Sequence, residues 1–172
     1  MKKFRFIEEL GGDYDSLETR PVWLVGMRRN NIKEAKNMFT NDIWNVDKNV
    51  DGWEKYSDVI KTIEPGEYII AKSTKTTDLE ELPVVIDNGK DCTSLMLIKA
   101  IGRVIRNPGD GERLDVQWIE FEPYKKWYLN WFSRAVMCLN YNNPLHKEVI
   151  NFAFYEQDQD FEKCLKLREA NK

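Results

Sequence analysis

Flat aromatic rings interleaved with cations are the groups in this chain whose types and spacing point to a chemistry. Six tryptophans occur in 172 residues. Trp23 sits in a short apolar run, Trp44 and Trp53 flank a polar stretch, and Trp118, Trp127 and Trp131 cluster downstream. A tryptophan carries a large apolar face and one N–H that wants a partner, so it serves cores and pockets for flat ligands alike. Cations recur beside these rings: Arg28 and Arg29, Lys72, Lys99, Arg103, Arg106, Lys125, Lys126 and Arg134. Aromatic platforms with nearby cations are what a protein needs to stack an unpaired base and hold its phosphates.

Catalytic chemistry finds no comparable set. The one histidine, His146, follows Pro144 in an expected helical turn, and no Ser or Cys nucleophile motif accompanies it. Asp78-Leu79-Glu80-Glu81 reads as a solvated loop, and Asp158-Gln159-Asp160 as the cap of a helix rather than a cation site. Gly109-Asp110-Gly111 is turn chemistry, since no Lys-Ser or Lys-Thr follows it at a helix start. Cys92, Cys138 and Cys164 lack CxxC spacing and read as buried free thiols, not zinc ligands. The chain is thus expected to bind rather than catalyse, with no catalytic residue, metal or cofactor. A formal charge of −3 argues against a broad electrostatic grip on nucleic acid, although it leaves room for a local basic face. No apolar run approaches the ~20 residues of a membrane helix, and the basic start leads straight into Glu8-Glu9, so a cytoplasmic protein without a membrane partner is expected.

The elements that must position these groups follow from periodicity. Val22–Gly26 is wholly apolar and predicts a buried strand. Asn30-Asn31 caps a helix through Ala35, Met38 and Phe39, and residues 41–52 read as a loop. Trp53, Tyr56, Ile60 and Ile63 step at helical spacing. Pro65-Gly66 turns the chain into a strand at Tyr68–Ala71 that ends at Lys72-Ser73. Residues 74–94 read as a long loop, and 95–104 as a strand in which Gly102 marks a bulge or a close backbone approach. Residues 107–111 form a hairpin connection. Leu114, Val116 and Trp118 alternate, then the pattern shifts to Ile119 and Phe121, which predicts a bulge. Residues 127–132 and 149–154 read as further strands, 144–148 as a short helical turn, and a last helix follows Asp158.

Several residues carry two readings. The end of the first strand, Met27 to Asn31, offers backbone N–H groups, two arginines and two amides, suited either to a phosphate or base edge or to an ordinary capped helix. Trp53 and Trp118 sit at core phases yet remain available as pocket walls. Lys72-Ser73 brings an ammonium and a hydroxyl to a strand end. Lys99 and Arg103, four apart, share one face of their strand if no bulge intervenes. Trp127, Tyr128 and Trp131 stand between covering the sheet and touching nucleic acid.

The order of these pieces resembles the EVE branch of the PUA-like superfamily, which is related to YTH domains. The resemblance is carried by Pro21–Gly26, by Ile43-Trp44, by Ile63–Ser73 with its Gly turn, by Met96–Val104 with its Ile-Gly-Xaa-Val strand, and by Asp115–Trp118. It covers about residues 20–165. More closely, the arrangement is similar to EVE-like domains at the N-terminus of McrB-type AAA+ restriction proteins, in which Lys126-Trp127-Tyr128, Phe152-Ala153-Phe154 and Gln159-Asp160 match late segments. The resemblance implies an α+β fold: a PUA-like, EVE/YTH-type curved mixed β-sheet or open β-barrel flanked by helices. It also implies an aromatic cage for a modified base flipped from DNA, with RNA the other candidate. By position, Trp44 is the cage ring and Asn45 stands beside it. Gly26, Met27 and Arg28 line the pocket, Ser73 closes the strand side, and Trp53 or Trp118 adds a second wall. Arg29, Lys72, Lys99, Arg103, Lys125 and Lys126 are then expected to hold the backbone.

The implied partners are an AAA+ motor, in the same chain or another, and a nuclease subunit. The division expected is an N-terminal extension at 1–20 packing on the domain, an EVE-like domain at 21–165, and a helix end at 166–172 leading to a motor domain. The rival readings are a PUA-like RNA- or nucleotide-binding protein and a protein-interaction module whose tryptophans are all core.

Overall fold

The computed structural model describes residues 8–12, 14–27, 32–85, 89, 91–129 and 132–170. The expectations placed on Arg28, Arg29, Asn30, Asn31 and Trp131 lie outside the described residues. The chain builds an α+β fold around one curved, mixed sheet of six strands. In chain order its elements are α1 (Tyr14–Thr19), β1 (Val22–Gly26), α2 (Ile32–Thr40), β2 (Ile43–Asn45), a 3-10 turn (Trp53–Tyr56) running into α3 (Ser57–Lys61), β3 (Tyr68–Asp78), β4 (Cys92–Arg106), β5 (Arg113–Tyr128), β6 (Val136–Leu139), α4 (Pro144–Phe154) and α5 (Phe161–Ala170). The strands lie in the order β2-β5-β4-β3-β1-β6. Only the β1–β3 pair is parallel among the described ladders.

Both faces of the sheet are covered, and that explains the sequence of β1. Val22 and Leu24 enter a core with Tyr68, Ile70, Trp127 and the α4 residues Val149, Ile150 and Phe154. Trp23 and Val25 enter a second core with Ala35, Met38 and Phe39 of α2 and Ile60 of α3. A strand buried on two sides has no polar phase, hence the unbroken apolar run. The same geometry corrects the bulge expected after Trp118. Leu114, Val116 and Trp118 serve the second core, and Ile119 and Phe121 serve the first. That is ordinary alternation in a sheet covered twice. The irregularity of β5 falls later: Ala100 pairs with Glu120 but Ile98 with Lys125, so residues 121–124 bow out opposite the single residue Lys99.

Gly102 is a close approach. A Cβ there would sit 2.7 Å from the Gln117 carbonyl oxygen and 2.8 Å from Cε3 of Trp118, so only glycine lets β5 lie this near. Residues 74–94 are largely not a loop, because β3 runs to Asp78 and pairs with Cys92 at the start of β4. Residues 149–154 are helical, as part of α4. Its start is fixed by Asn143, whose side chain accepts from the Leu145 and His146 N–H groups, and by Pro144 in the first turn. The strand expected at 127–132 ends at Tyr128. Of the three cysteines, Cys164 is buried, Cys92 half-buried and Cys138 exposed, so the reading of three buried thiols holds for one.

Residues before β1 also reach the interior. Leu10 and Leu17 are fully buried in the first core. Arg103 donates to the carbonyls of Leu10, Gly11 and Gly66, and Gln117 donates to that of Glu9. Among the described residues no helix is long and apolar enough to cross a membrane.

Candidate functional site

β1 ends at Gly26 beside Lys72, in the middle of β3, which runs on to Asp78 paired with β4. Gly26 donates to the Ala135 carbonyl ahead of β6 at 2.8 Å, and Met27 donates to the Lys72 carbonyl at 2.7 Å. With these backbone groups tied, the three segments splay around a cavity of about 380 Å³. Its lining is Gly26, Met27, Trp44, Val46, Asp47, Val50, Lys72, Ser73, Thr74 and Ala135. The volume falls within the roughly 300–1,000 Å³ range of small-molecule pockets.

Trp44 stands in this wall, in a setting that differs from the polar loop read from the sequence. It is the middle residue of β2, pairs with Leu114 of β5, and is 1 % exposed. Its indole N–H donates to the Gly26 carbonyl at 3.2 Å. A loop reading failed here because a three-residue edge strand leaves too short a pattern to register. Met27 and Ser73, both buried, join it in the lining.

The second wall expected from Trp53 or Trp118 is not assembled. Trp53 opens the 3-10 turn, packs on the second core and has the Lys48 ammonium 5.3 Å from its ring. Trp118 donates to the Ile43 carbonyl at 2.9 Å and meets Phe39 edge-on at 5.4 Å. Its packing buttresses β2, and through it Trp44, without lining the cavity. Trp23 is a core residue whose N–H donates to the buried carboxylate of Glu67. Trp127, 1 % exposed, packs against Phe152 of α4. Asn45 lies off the cavity, in a neighbouring depression with Lys48 and Glu112.

Four of the cations expected to hold a nucleic-acid backbone are employed in the fold, and for those the expectation is corrected. Lys72 is 3 % exposed and donates to the Phe132 carbonyl at 2.9 Å; burial pushes its pKa down to about 8. Lys99, also 3 % exposed, lies 5.6 Å from the Tyr124 ring, and burial lowers its pKa as well. The bulge at Lys99 breaks the two-residue phase, so Lys99 faces Tyr124 whereas Arg103 faces the Leu10-Gly11 turn. Lys125 donates to the Phe152 carbonyl at the end of α4, a favourable place for a cation at a helix C-terminus. Lys126 alone of the described set is exposed. Arg134, exposed and next to the cavity-lining Ala135, is a better placed cation than those on β4.

Sequence reasoning missed Val46, Asp47, Val50, Thr74 and Ala135. The Asp47 carboxylate accepts from the N–H and the carboxamide of Asn49, which folds the loop after β2 into an Asx turn beside the cavity. That Asp-Lys-Asn signal was legible; nothing marks Ala135. His146 is a helix-start residue whose Nδ1 accepts from the Asn140 N–H, with its pKa lowered by burial. Among the described residues no group of three or more His, Cys, Asp and Glu gathers as a metal site would require.

No family model matches the chain, and no curated protein matches it in sequence. Among the solved structures similar to it are three YTH domains. The Pho92 YTH domain in complex with m6A is 13% identical, with a TM-score of 0.40, over 83% of this chain and 88% of that one. The YTH domain of the Zygosaccharomyces rouxii MRB1 protein in complex with N6-methyladenosine RNA is 14% identical, with a TM-score of 0.39, over 84% and 92%. The MmI1 YTH domain is 12% identical, with a TM-score of 0.30, over 88% and 98%.

Proposed function

We propose that this chain is a reader of a modified nucleobase, which it takes singly, flipped from a nucleic acid, into the cavity where β1 ends beside β3. The observation that carries this is the cavity wall itself. A buried indole, a thioether and two valines form its apolar part, and hydroxyls of Ser73 and Thr74 with backbone groups form its polar part. Flat apolar surface plus a few convergent polar groups is what a single base requires once it leaves its stack. Flipping costs a few kcal/mol, and stacking recovers about 1–3 kcal/mol per base, so edge hydrogen bonds must supply the selectivity.

The base lies against the apolar wall that the buried Trp44 backs, with Met27 and Val50 beside it, and Ser73 and Thr74 on its polar side. Arg134 and Lys126 serve the flanking phosphates. One pocket with a modest basic rim accommodates a net acidic chain, because affinity then rests on few phosphate contacts. The resemblance of Pro21–Gly26, Ile63–Ser73 and Met96–Val104 to EVE-like domains of McrB-type proteins supports a finer reading. In it, DNA is the polymer, residues 21–165 are the targeting domain, and an AAA+ motor and a nuclease subunit act on what it finds. The same role makes the chain a binder rather than an enzyme, with any NTPase or nuclease chemistry elsewhere.

The test is an equilibrium binding series with otherwise identical DNA strands carrying an unmodified base, 5-methylcytosine, 5-hydroxymethylcytosine, 5-hydroxymethyluracil or N6-methyladenine. Wild type is compared with Val50→Glu, a substitution at a 42 % exposed position on the cavity wall that leaves both cores untouched. At least one modified base binds about tenfold or more tightly than its parent, a difference of about 1.4 kcal/mol, and Val50→Glu abolishes the preference. Equal affinity for all strands, unchanged by the substitution, overturns the reading.

A further inference from the structure

β3 runs on past the end of its neighbour β1, and the backbone it leaves bare borders the cavity. The last bond of the β1–β3 ladder goes from the Met27 N–H to the Lys72 carbonyl at 2.7 Å, so the peptide groups of Lys72 point to the β1 side. In a strand, successive residues turn their peptide groups to opposite edges. Ser73 therefore turns its own to β4, where it pairs with Leu97, and Thr74 turns its N–H and carbonyl to the side that β1 has vacated. The pairing with β4 is regular from Lys72 to Asp78, so no bulge upsets this alternation. Thr74 lines the cavity, and among the described residues nothing bonds to its peptide groups. Other backbone donors of the lining are used: the N–H groups of Gly26, Met27, Val46, Val50 and Ala135 go to Ala135, Lys72, Glu112, Asp47 and the Tyr56 hydroxyl. An N–H and a carbonyl left bare in a cavity wall call for a ligand that supplies both partners.

We propose that the Thr74 N–H and carbonyl grip the base by its Watson–Crick edge, as a neighbouring strand would, and that the modification is read by the apolar wall instead. This rests on the base-binding reading above and names the atoms that hold the base. One residue of an open strand edge offers a donor and an acceptor side by side. Each base carries the complementary pair: N1 with the N6 hydrogen in adenine, N3 with the N4 hydrogen in cytosine, and the ring N–H with its neighbouring oxygen in uracil and guanine. A flipped base leads with that edge and keeps its sugar outward. The grip therefore does not choose among parent bases. A group at pyrimidine C5, or one methyl on an amine that keeps a hydrogen, leaves both bonds intact and faces Met27, Val46 and Val50. A methyl on the ring nitrogen of the edge removes one bond and sets a carbon against the peptide. A strand added by a partner protein could use the same edge, but it would also bond Thr76, which shares the orientation of Thr74. The cavity encloses Thr74 and not Thr76, which favours a single base.

The experiment titrates the full chain with DNA strands identical except for one central 5-hydroxymethyluracil, 5-methylcytosine or N6-methyladenine. Each is paired with the same base methylated at the ring nitrogen of its Watson–Crick edge. The tightest-binding strand is expected to lose about tenfold or more on that methylation, the scale of one hydrogen bond left unmade. Thr74→Pro removes only an N–H that no strand uses, at an edge where proline is tolerated, and should cost about the same. Thr76→Pro should leave affinity within about twofold. Should Thr74→Pro fail to fold, amide exchange in wild type carries the test: the Thr74 hydrogen should slow about tenfold or more when the strand binds, and the Thr76 hydrogen should not. Affinity kept within about twofold after ring-nitrogen methylation or in Thr74→Pro, or unchanged exchange at Thr74, overturns the grip while the base-binding reading stands. An equal loss in Thr76→Pro shows the edge engaged along its length, as by an added strand, and also overturns the grip. No binding to any strand, modified or not, overturns both readings.

Discussion

The indole N–H of Trp44 donates to the carbonyl of Gly26 at 3.2 Å and so ties the short edge strand β2 to the end of β1, across the cavity. The bond fixes the plane of the ring and removes its one polar group from ligand chemistry. At 1 % exposure, Trp44 shapes the apolar wall from behind more than it presents a face of its own.

Substituting Trp44 by Phe keeps an aromatic ring and removes that bond. The Gly26 carbonyl loses a partner in a buried wall and the smaller ring leaves space, so unfolding free energy should drop on the order of 1–3 kcal/mol. Urea denaturation followed by circular dichroism measures it. A loss under a few tenths of a kcal/mol would mean that the bond holds nothing.

The buried Lys72 predicts a pH dependence whose sign is fixed. Its folded pKa, about 8, lies below the ordinary lysine value of 10.5, so between those values the unfolded chain holds the proton and the folded chain does not. Stability therefore rises with pH across that window, by up to about 3 kcal/mol from this group. Below pH 8 both states are protonated and the group adds no slope. Denaturation curves from pH 7 to 10 should show wild type gaining on Lys72→Met through this window; parallel curves would contradict the assignment.

Gln159 closes a two-point clasp on Tyr128. Its Oε1 accepts from the Tyr128 N–H at 2.9 Å, and its Nε2 donates to the Tyr128 carbonyl at 2.8 Å, standing in for a neighbouring strand at the end of β5. Gln159→Ala should cost about 1–2 kcal/mol and speed exchange of the Tyr128 amide hydrogen. Unchanged exchange at that amide would sink the idea.

Arg134 is exposed beside a residue of the cavity wall. If it meets a phosphate, Arg134→Ala weakens all strands about equally and lowers the slope of log K against log salt by about 1, leaving preference among bases intact. A change in base preference with no change in slope would place Arg134 at the base instead.

How far the sequence reached depended on how much pattern each element carries. β1 was legible because an apolar run ended by glycine leaves few alternatives, and α2 because Ala35, Met38 and Phe39 share one face. Val149–Phe154 misled because a short apolar run reads alike as a buried strand or a buried helix; Asn143-Pro144, the cap signal, was the better guide. The polar run Lys75-Thr76-Thr77-Asp78 hid the outer half of β3, which has fewer buried residues than its start. Of the site, Gly26, Met27, Trp44, Lys72 and Ser73 were marked by strand ends and by the resemblance, and they meet in one cavity. Trp53, Trp118, Lys99, Arg103 and Lys125 were chosen by residue type. Type alone does not say where an N–H or an ammonium finds its acceptor, and each found it in the fold or against a ring.

The central claim is that one base occupies the cavity beside Trp44, and amide and indole N–H resonances report on it directly. Adding a strand with a preferred modified base to the 15N-labelled chain should shift the signals of Gly26, Met27, Ser73, Thr74, Ala135 and the Trp44 indole N–H, with the Trp118 and Trp23 indole signals nearly still. Shifts confined to the surface around Lys126 and α2, with the Trp44 indole unmoved, would contradict the account.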